Sequence, residues 1–131
     1  MRYLLDTHAL VWALISTDKL SKDVKEILTN TQNEVFVSII SIWEISLKFS
    51  IGKLELVGKE PDEIPGAILD MNFKILDLEA GSAATFYKLP RYNKDPFDRM
   101  LAWQAINGVL VFLSKDKGFD DYKKLGLRRV W

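Results

Sequence analysis

Four acidic residues stand where they could act together: Asp6, Glu44, Asp98 and Asp116. Asp6 closes the apolar run Tyr3-Leu4-Leu5. Glu44 falls in Ser41-Ile42-Trp43-Glu44, the first turn of the helix expected after a second apolar run. Asp98 falls in the first turn of a helix that begins at Pro96. Asp116 follows a strand-like stretch ending Leu113-Ser114. Carboxylates gathered in one place repel each other, and a hard divalent cation is their natural counter-charge. Oxygen ligands select Mg²⁺ or Mn²⁺ over zinc, because the chain has no cysteine and one histidine, His8. Such a site can activate water and stabilise the leaving oxygen of a phosphodiester. Thiol and paired-histidine mechanisms are excluded by composition.

Each acid also has a purely structural reading. Asp6 or Thr7 can cap the first helix. Ser41 and Glu44 match a capping box, in which Glu44 reaches back to the backbone of Ser41. Asp95-Pro96 reads as a cap followed by proline at the first helical position. Asp116 fits the turn Lys115-Asp116-Lys117-Gly118. Taken singly, each acid is explained well enough by this role. Two arguments favour chemistry. At about 100° per residue, Asp98 shares its helix face with the apolar Leu101, Ala102 and Ala105, where a lone carboxylate is costly. And four unrelated caps have no reason to share one edge of the molecule.

That edge follows from the order of elements. Strand-like runs at 3–5, 35–39, 74–77, 109–113 and 127–131 alternate with helical patterns at about 8–15, 21–30, 41–51, 61–71, 79–89 and 96–107. Continuously apolar strands alternating with helices predict α/β architecture, a mostly parallel sheet covered on both faces. In such a sheet, strand C-termini and the following helix starts lie along one edge. Gly52 suits the end of the third helix.

The chain has 131 residues, 48% of them hydrophobic, which fits one domain over 1–131 with a core that needs no disulfides. The longest uncharged run, residues 100–114, is short of the ~20 residues a membrane span needs. The expectation is a soluble, cytoplasmic protein. With 18 basic against 18 acidic residues, nucleic-acid contact would be local. Lys94, Arg99, Lys115 and Lys117 would be the steering cations. His8 and Trp12, Trp43 and Trp103 are expected to be packing residues, the tryptophans in a core or dimer contact.

The motifs resemble a known family. Leu4-Leu5-Asp6-Thr7-His8-Ala9-Leu10-Val11-Trp12 is similar to the opening of PIN-domain proteins of the VapC toxin type. So is Ser38-Ile39-Ile40-Ser41-Ile42-Trp43-Glu44-Ile45-Ser46-Leu47-Lys48, followed by Gly52-Lys53-Leu54. Asp95-Pro96-Phe97-Asp98-Arg99-Met100-Leu101 resembles the family's third motif, and Ser114-Lys115-Asp116 with Phe119-Asp120 its fourth. The resemblance implies a three-layer α/β/α sandwich (PIN-like) and a metal-dependent endoribonuclease, with Asp6, Glu44, Asp98 and Asp116 as ligands of Mg²⁺. It implies Thr7 and Ser114 as helper hydroxyls, and Asp95 and Arg99 as outer residues. It also implies a toxin restrained by a cognate VapB-like antitoxin, commonly a homodimer, acting on RNA. Two departures stand out. Asn93 occupies a position where relatives often carry histidine, and Ser114 one where they often carry threonine.

The rival readings are a receiver-like signalling domain, with Asp77 as phosphoacceptor, and a binding module without catalysis. Water as the nucleophile on RNA would leave 5′-phosphate and 3′-hydroxyl ends.

Overall fold

A computed structural model of the chain describes residues 1–131. Five strands form one all-parallel sheet: β1 (Arg2–Leu5), β2 (Glu34–Ser38), β3 (Lys74–Leu76), β4 (Val111–Leu113) and β5 (Arg128–Val130), in the spatial order β3-β2-β1-β4-β5. Successive side chains in a strand point to opposite faces. Tyr3, Leu5, Val35, Val37, Val111 and Leu113 accordingly join one apolar cluster, while Leu4 and Phe112 join another, with Phe36 packed against it. Burial on both faces explains why these strands read as unbroken apolar runs.

The first cluster is covered by α1 (Thr7–Ile15), α2 (Lys22–Thr29), α3 (Ile39–Ser50) and α4 (Ile64–Asp70), through residues such as Leu10, Val24, Ile45 and Ile68. The second is covered by α6 (Pro96–Gly108), through Leu101, Ala102 and Ala105, and by the 3₁₀ segment Lys117–Leu125, through Phe119 and Tyr122. The short α5 (Ala80–Thr85) leads through a 3₁₀ turn to the loop before α6. The result is the expected α/β/α sandwich, and no helix is long and apolar enough to cross a membrane.

Several local expectations change. The expected helix at 61–71 begins as a 3₁₀ turn at Pro61–Glu63, and the one at 79–89 ends as one at Phe86–Lys88. The second strand passes straight into α3, which starts at Ile39 with Ser38 as its cap: the Ser38 hydroxyl accepts from the Ile40 N–H at 3.0 Å. The 3₁₀ helix after Asp116 was not expected. α6 runs on to Gly108, and Val109, expected in the fourth strand, instead caps it in the left-handed region at φ 52°, 84% exposed. Gly52 takes φ +74° just past α3, a conformation glycine adopts without a Cβ clash.

Candidate active site

The sheet winds outward in two directions from its middle. From β1 the chain builds β2 and β3 on one side, and β4 and β5 on the other. The two connections leave β1 and β4 toward different sides, which opens a crevice at their C-terminal ends, the usual ligand site of an open α/β sheet. Asp6 directly follows β1, and Asp116 comes two residues after Ser114, which ends the β4 run.

Asp6 is the cap of α1, its Oδ1 accepting from the Ala9 N–H at 2.7 Å. It is buried, and burial pushes its carboxyl above the usual carboxylate range. The Ser114 hydroxyl, the Ala9 N–H and His8 pull against that shift, while Asp116 adds to it. The buried Ser114 hydroxyl also accepts from the Asp116 N–H at 3.1 Å. Asp116 caps the 3₁₀ segment through the Gly118 N–H at 2.8 Å. Ser114 therefore stands between the two acids.

Glu44 is only 2% exposed, on the second turn of α3 rather than the first. The capping box with Ser41 does not form, because Ser38 takes the cap and leaves both residues free to face inward. Thr7 Oγ1 lies 2.6 Å from Glu44 Oε1 and 2.9 Å from Ser41 Oγ. Thr7 has one hydroxyl proton, and an ionised carboxylate can only accept. That proton thus goes to Glu44, and Ser41 donates to Thr7. Lys48, one turn on, forms an ion pair with Glu44 Oε2. Burial pulls the Lys48 ammonium down, but the Glu44 carboxylate outweighs it, Asp95 and Asp98 add to the pull, and the net shift is upward. Glu44 is thus doubly anchored.

Asp98 is treated differently. Its Oδ2 accepts one bond, from the Asn93 side-chain amide at 3.3 Å, and Oδ1 accepts none from the chain. Its carboxyl is pushed up to about 7. Burial is the largest cause, the Asp95 and Glu44 charges come next, and Asp6 adds a smaller part; the Asn93 bond opposes them. Asp98 therefore feels two of the three other acids across the fold. Asp95 caps α6, accepting from the Phe97 N–H at 2.8 Å and the Asp98 N–H at 3.3 Å.

Arg99, in contrast, turns away. Its Nη2 donates to the Leu89 carbonyl at 3.1 Å, its guanidinium lies 4.5 Å from the Phe86 ring centre, and its Nε is buried without a partner. It pins the segment before α6 and meets no carboxylate, so it is not free to steer a substrate. Lys94, Lys115 and Lys117 are exposed. His8, expected to be a packing residue, is exposed, with its ring 5.8 Å from Trp12. Trp43 is 59% exposed rather than packed in the core, and meets Phe97 edge-on at 5.1 Å. Asp77 is exposed beyond β3, with β2 between that strand and β1. Sequence reasoning missed Ser41 as a member of the site, whereas Lys48, four residues after Glu44 on the same helix, stands at the spacing from which an ion pair is expected.

No three Asp, Glu or His side chains already surround a common point. The donors nonetheless fit a hard cation in kind: carboxylates and hydroxyls, with no sulfur. Mg²⁺ keeps several waters and needs only one or two direct carboxylates, so the spread of the four acids is compatible with it.

An all-parallel α/β/α sheet with acids following β1 and β4 is the architecture that the PIN-type resemblance implies. A family model described as PIN domain matches residues 3–125, and the chain belongs to that family, whose members are nucleases that generally use divalent metals. Solved structures agree on the fold. A chain of VapBC2 from Rickettsia felis, bound to a DNA fragment from its promoter, is 18% identical with a TM-score of 0.65, covering 99% of this chain and 98% of that one. DNA-bound VapBC from Salmonella typhimurium gives 19% and 0.68, covering 99% and 97%. FitAcB from Neisseria gonorrhoeae gives 21% and 0.66, covering 100% and 97%. No curated protein matches the sequence.

Proposed function

We propose that the chain, as a single unit over 1–131, is a Mg²⁺-dependent endoribonuclease and the toxin of a toxin–antitoxin pair, working in the cytoplasm. The observation that supports this reading is that Asp6 and Asp116 follow the two strands flanking the switch point with Ser114 between them, while Asp98 lies near enough to Glu44 and Asp6 for their charges to raise its pKa. Bound there, Mg²⁺ or Mn²⁺ would neutralise the carboxylates and provide Lewis acidity toward water and the phosphodiester. The chain's residues divide the remaining work. Asp6, Glu44, Asp98 and Asp116 hold the ion. Thr7 and Ser41 orient Glu44, and Ser114 orients the Asp6 carboxylate and holds the Asp116 backbone. Lys94, Lys115 and Lys117 attract the RNA backbone.

The partner assignment is supported by solved relatives that are toxin–antitoxin complexes. It is supported too by the exposed apolar side chains Trp43, Leu47 and Ile51 on and just beyond α3, the kind of surface that an antitoxin or a second copy of the chain covers.

The test is cleavage of RNA by purified protein. Mg²⁺ should support cleavage to 5′-phosphate ends, EDTA should stop it, and Asp6→Asn should lack it while keeping its circular dichroism spectrum. Full activity of Asp6→Asn in a nuclease-free preparation would overturn the assignment.

A further inference from the structure

The loop before α6 is tied to the 3₁₀ segment that begins at Asp116. The Asn93 backbone N–H donates to the Tyr122 hydroxyl at 3.1 Å, and Tyr122 is fully buried. Tyr92 packs against the Tyr122 ring at 5.2 Å between centres, and the Lys124 ammonium lies 4.7 Å from the Tyr92 ring centre. Residues 92 and 93 are thus fastened by backbone and side chain to an element 29 residues away in sequence.

The Asn93 side chain is oriented by a second bond. Its Oδ1 accepts from the Asp95 N–H at 2.9 Å. An amide group has its oxygen and nitrogen on opposite arms, so anchoring the oxygen aims the NH₂ in one direction. That direction is Asp98 Oδ2, at 3.3 Å. The carboxylate is held through one oxygen, while the other stays free of hydrogen bonds from the chain. Asparagine stays neutral at every working pH, so the amide itself never loses its donor by titration.

We infer that Tyr122 and Asn93 form a positioning relay, in which the Tyr122 hydroxyl fixes the loop and the Asn93 amide sets the angle at which Asp98 presents its free oxygen to the cation. The inference rests on the metal-dependent reading above. Its consequence is mechanical: Asp116 starts the segment that carries Tyr122, so the third and fourth acids are held in register by one hydroxyl. Neither Asn93 nor Tyr122 touches substrate or the reacting atoms in this scheme.

Three variants test it, with one readout that uses a metal and one that does not. Outer partners of metal ligands typically alter affinity by about 10–100-fold. Asn93→Ala should weaken Mn²⁺ binding, measured by calorimetry, by roughly that factor and lower kcat, with KM for RNA within about twofold of the parent value. Tyr122→Phe keeps the ring and removes only the acceptor. It should give a smaller loss in the same direction, with faster hydrogen exchange at the Asn93 backbone N–H. An Asn93→Ala protein that binds Mn²⁺ as the parent does would overturn the relay. The second readout needs no metal. In metal-free protein the side-chain NH₂ signals of Asn93 should move on Asp98→Ala, and unmoved signals would refute the relay whatever the fate of Tyr122→Phe. If the parent itself neither binds Mn²⁺ nor cleaves RNA, the nuclease reading falls, and the positioning role falls with it even where the signals move.

Discussion

Glu44 and Asp98 face the same edge of the sheet and are provided for in opposite ways. Glu44 is the more deeply buried, yet it has Thr7 on one oxygen and Lys48 on the other. Asp98 is less buried, yet it has one bond of 3.3 Å, three acids near enough to raise its pKa, and a carboxyl pushed up to about 7. Burial alone therefore does not decide which acid is under electrostatic load. The Glu44 side is complete as the protein folds. On the Asp98 side the chain offers only the Asn93 amide and the more distant Lys48 ammonium, which is already paired with Glu44, and such under-compensated negative charge is what an external cation would relieve.

The largest expected effect comes from removing the under-compensated charge. Asp98→Asn should reduce RNA cleavage to background and raise the Tm of the metal-free protein. Burial raises the Asp98 carboxyl from the usual 3.8 to a folded pKa of about 7, so ionising Asp98 disfavours the fold. Its neutral form is favoured below that value, and stability declines as pH rises from about 4 to about 7. The Tm advantage of Asp98→Asn should accordingly widen over that range and then level off, as a series of thermal melts would reveal. A Tm equal to that of the parent at pH 8 would erase the contrast between the two acids.

The next effect comes from the compensated side. Lys48→Met leaves a buried carboxylate with Thr7 alone, and breaking such a pair costs on the order of 3 kcal/mol. The opposite sign from Asp98→Asn is the point, and chemical denaturation of both proteins would measure it. Adding Mg²⁺ should restore more stability to Lys48→Met than it adds to the parent.

A third effect is on binding. Asp98 must lose its proton to ligate an ion, so Mn²⁺ affinity should rise between pH 6 and pH 8, with proton release on binding. Calorimetry in buffers of different ionisation enthalpy reads both quantities. The smallest effect belongs to Ser41→Ala, which removes the second bond to Thr7. It should lower stability by about 1 kcal/mol and leave cleavage within a few-fold of the parent value.

How much of this was legible in the sequence varies by residue. Asp6 and Asp98 were readable because apolar runs locate strand ends and helix faces. Asp116 was readable as following a strand, although the 3₁₀ helix it caps was not. Glu44 was singled out for its place after the second strand, and what failed was its structural alternative, the capping box with Ser41. Both Ser38 and Ser41 can cap a helix, and only the tertiary pairing of Ser41 with Thr7, 34 residues away, shows why Ser38 took that role. The ties from Asn93 to Tyr122 and from Thr7 to Glu44 join residues 29 and 37 apart, and neither spacing leaves a periodic trace in the chain. The all-parallel sheet was legible because its strands are buried on both faces, whereas the exposure of Trp43 and the inward turn of Arg99 depend on packing that no single segment encodes.

α6 carries Asp98 at one end and Val109 beyond the other, about 17 Å away at 1.5 Å per residue. A β-branched residue in the left-handed region is held there by its surroundings at a cost of about 1–2 kcal/mol. Val109→Gly should release that strain and raise the Tm by a few degrees. The molecule thus has a remote point of adjustment, where tolerance for damaging substitutions at the acid edge can be added without altering any group that takes part in the chemistry.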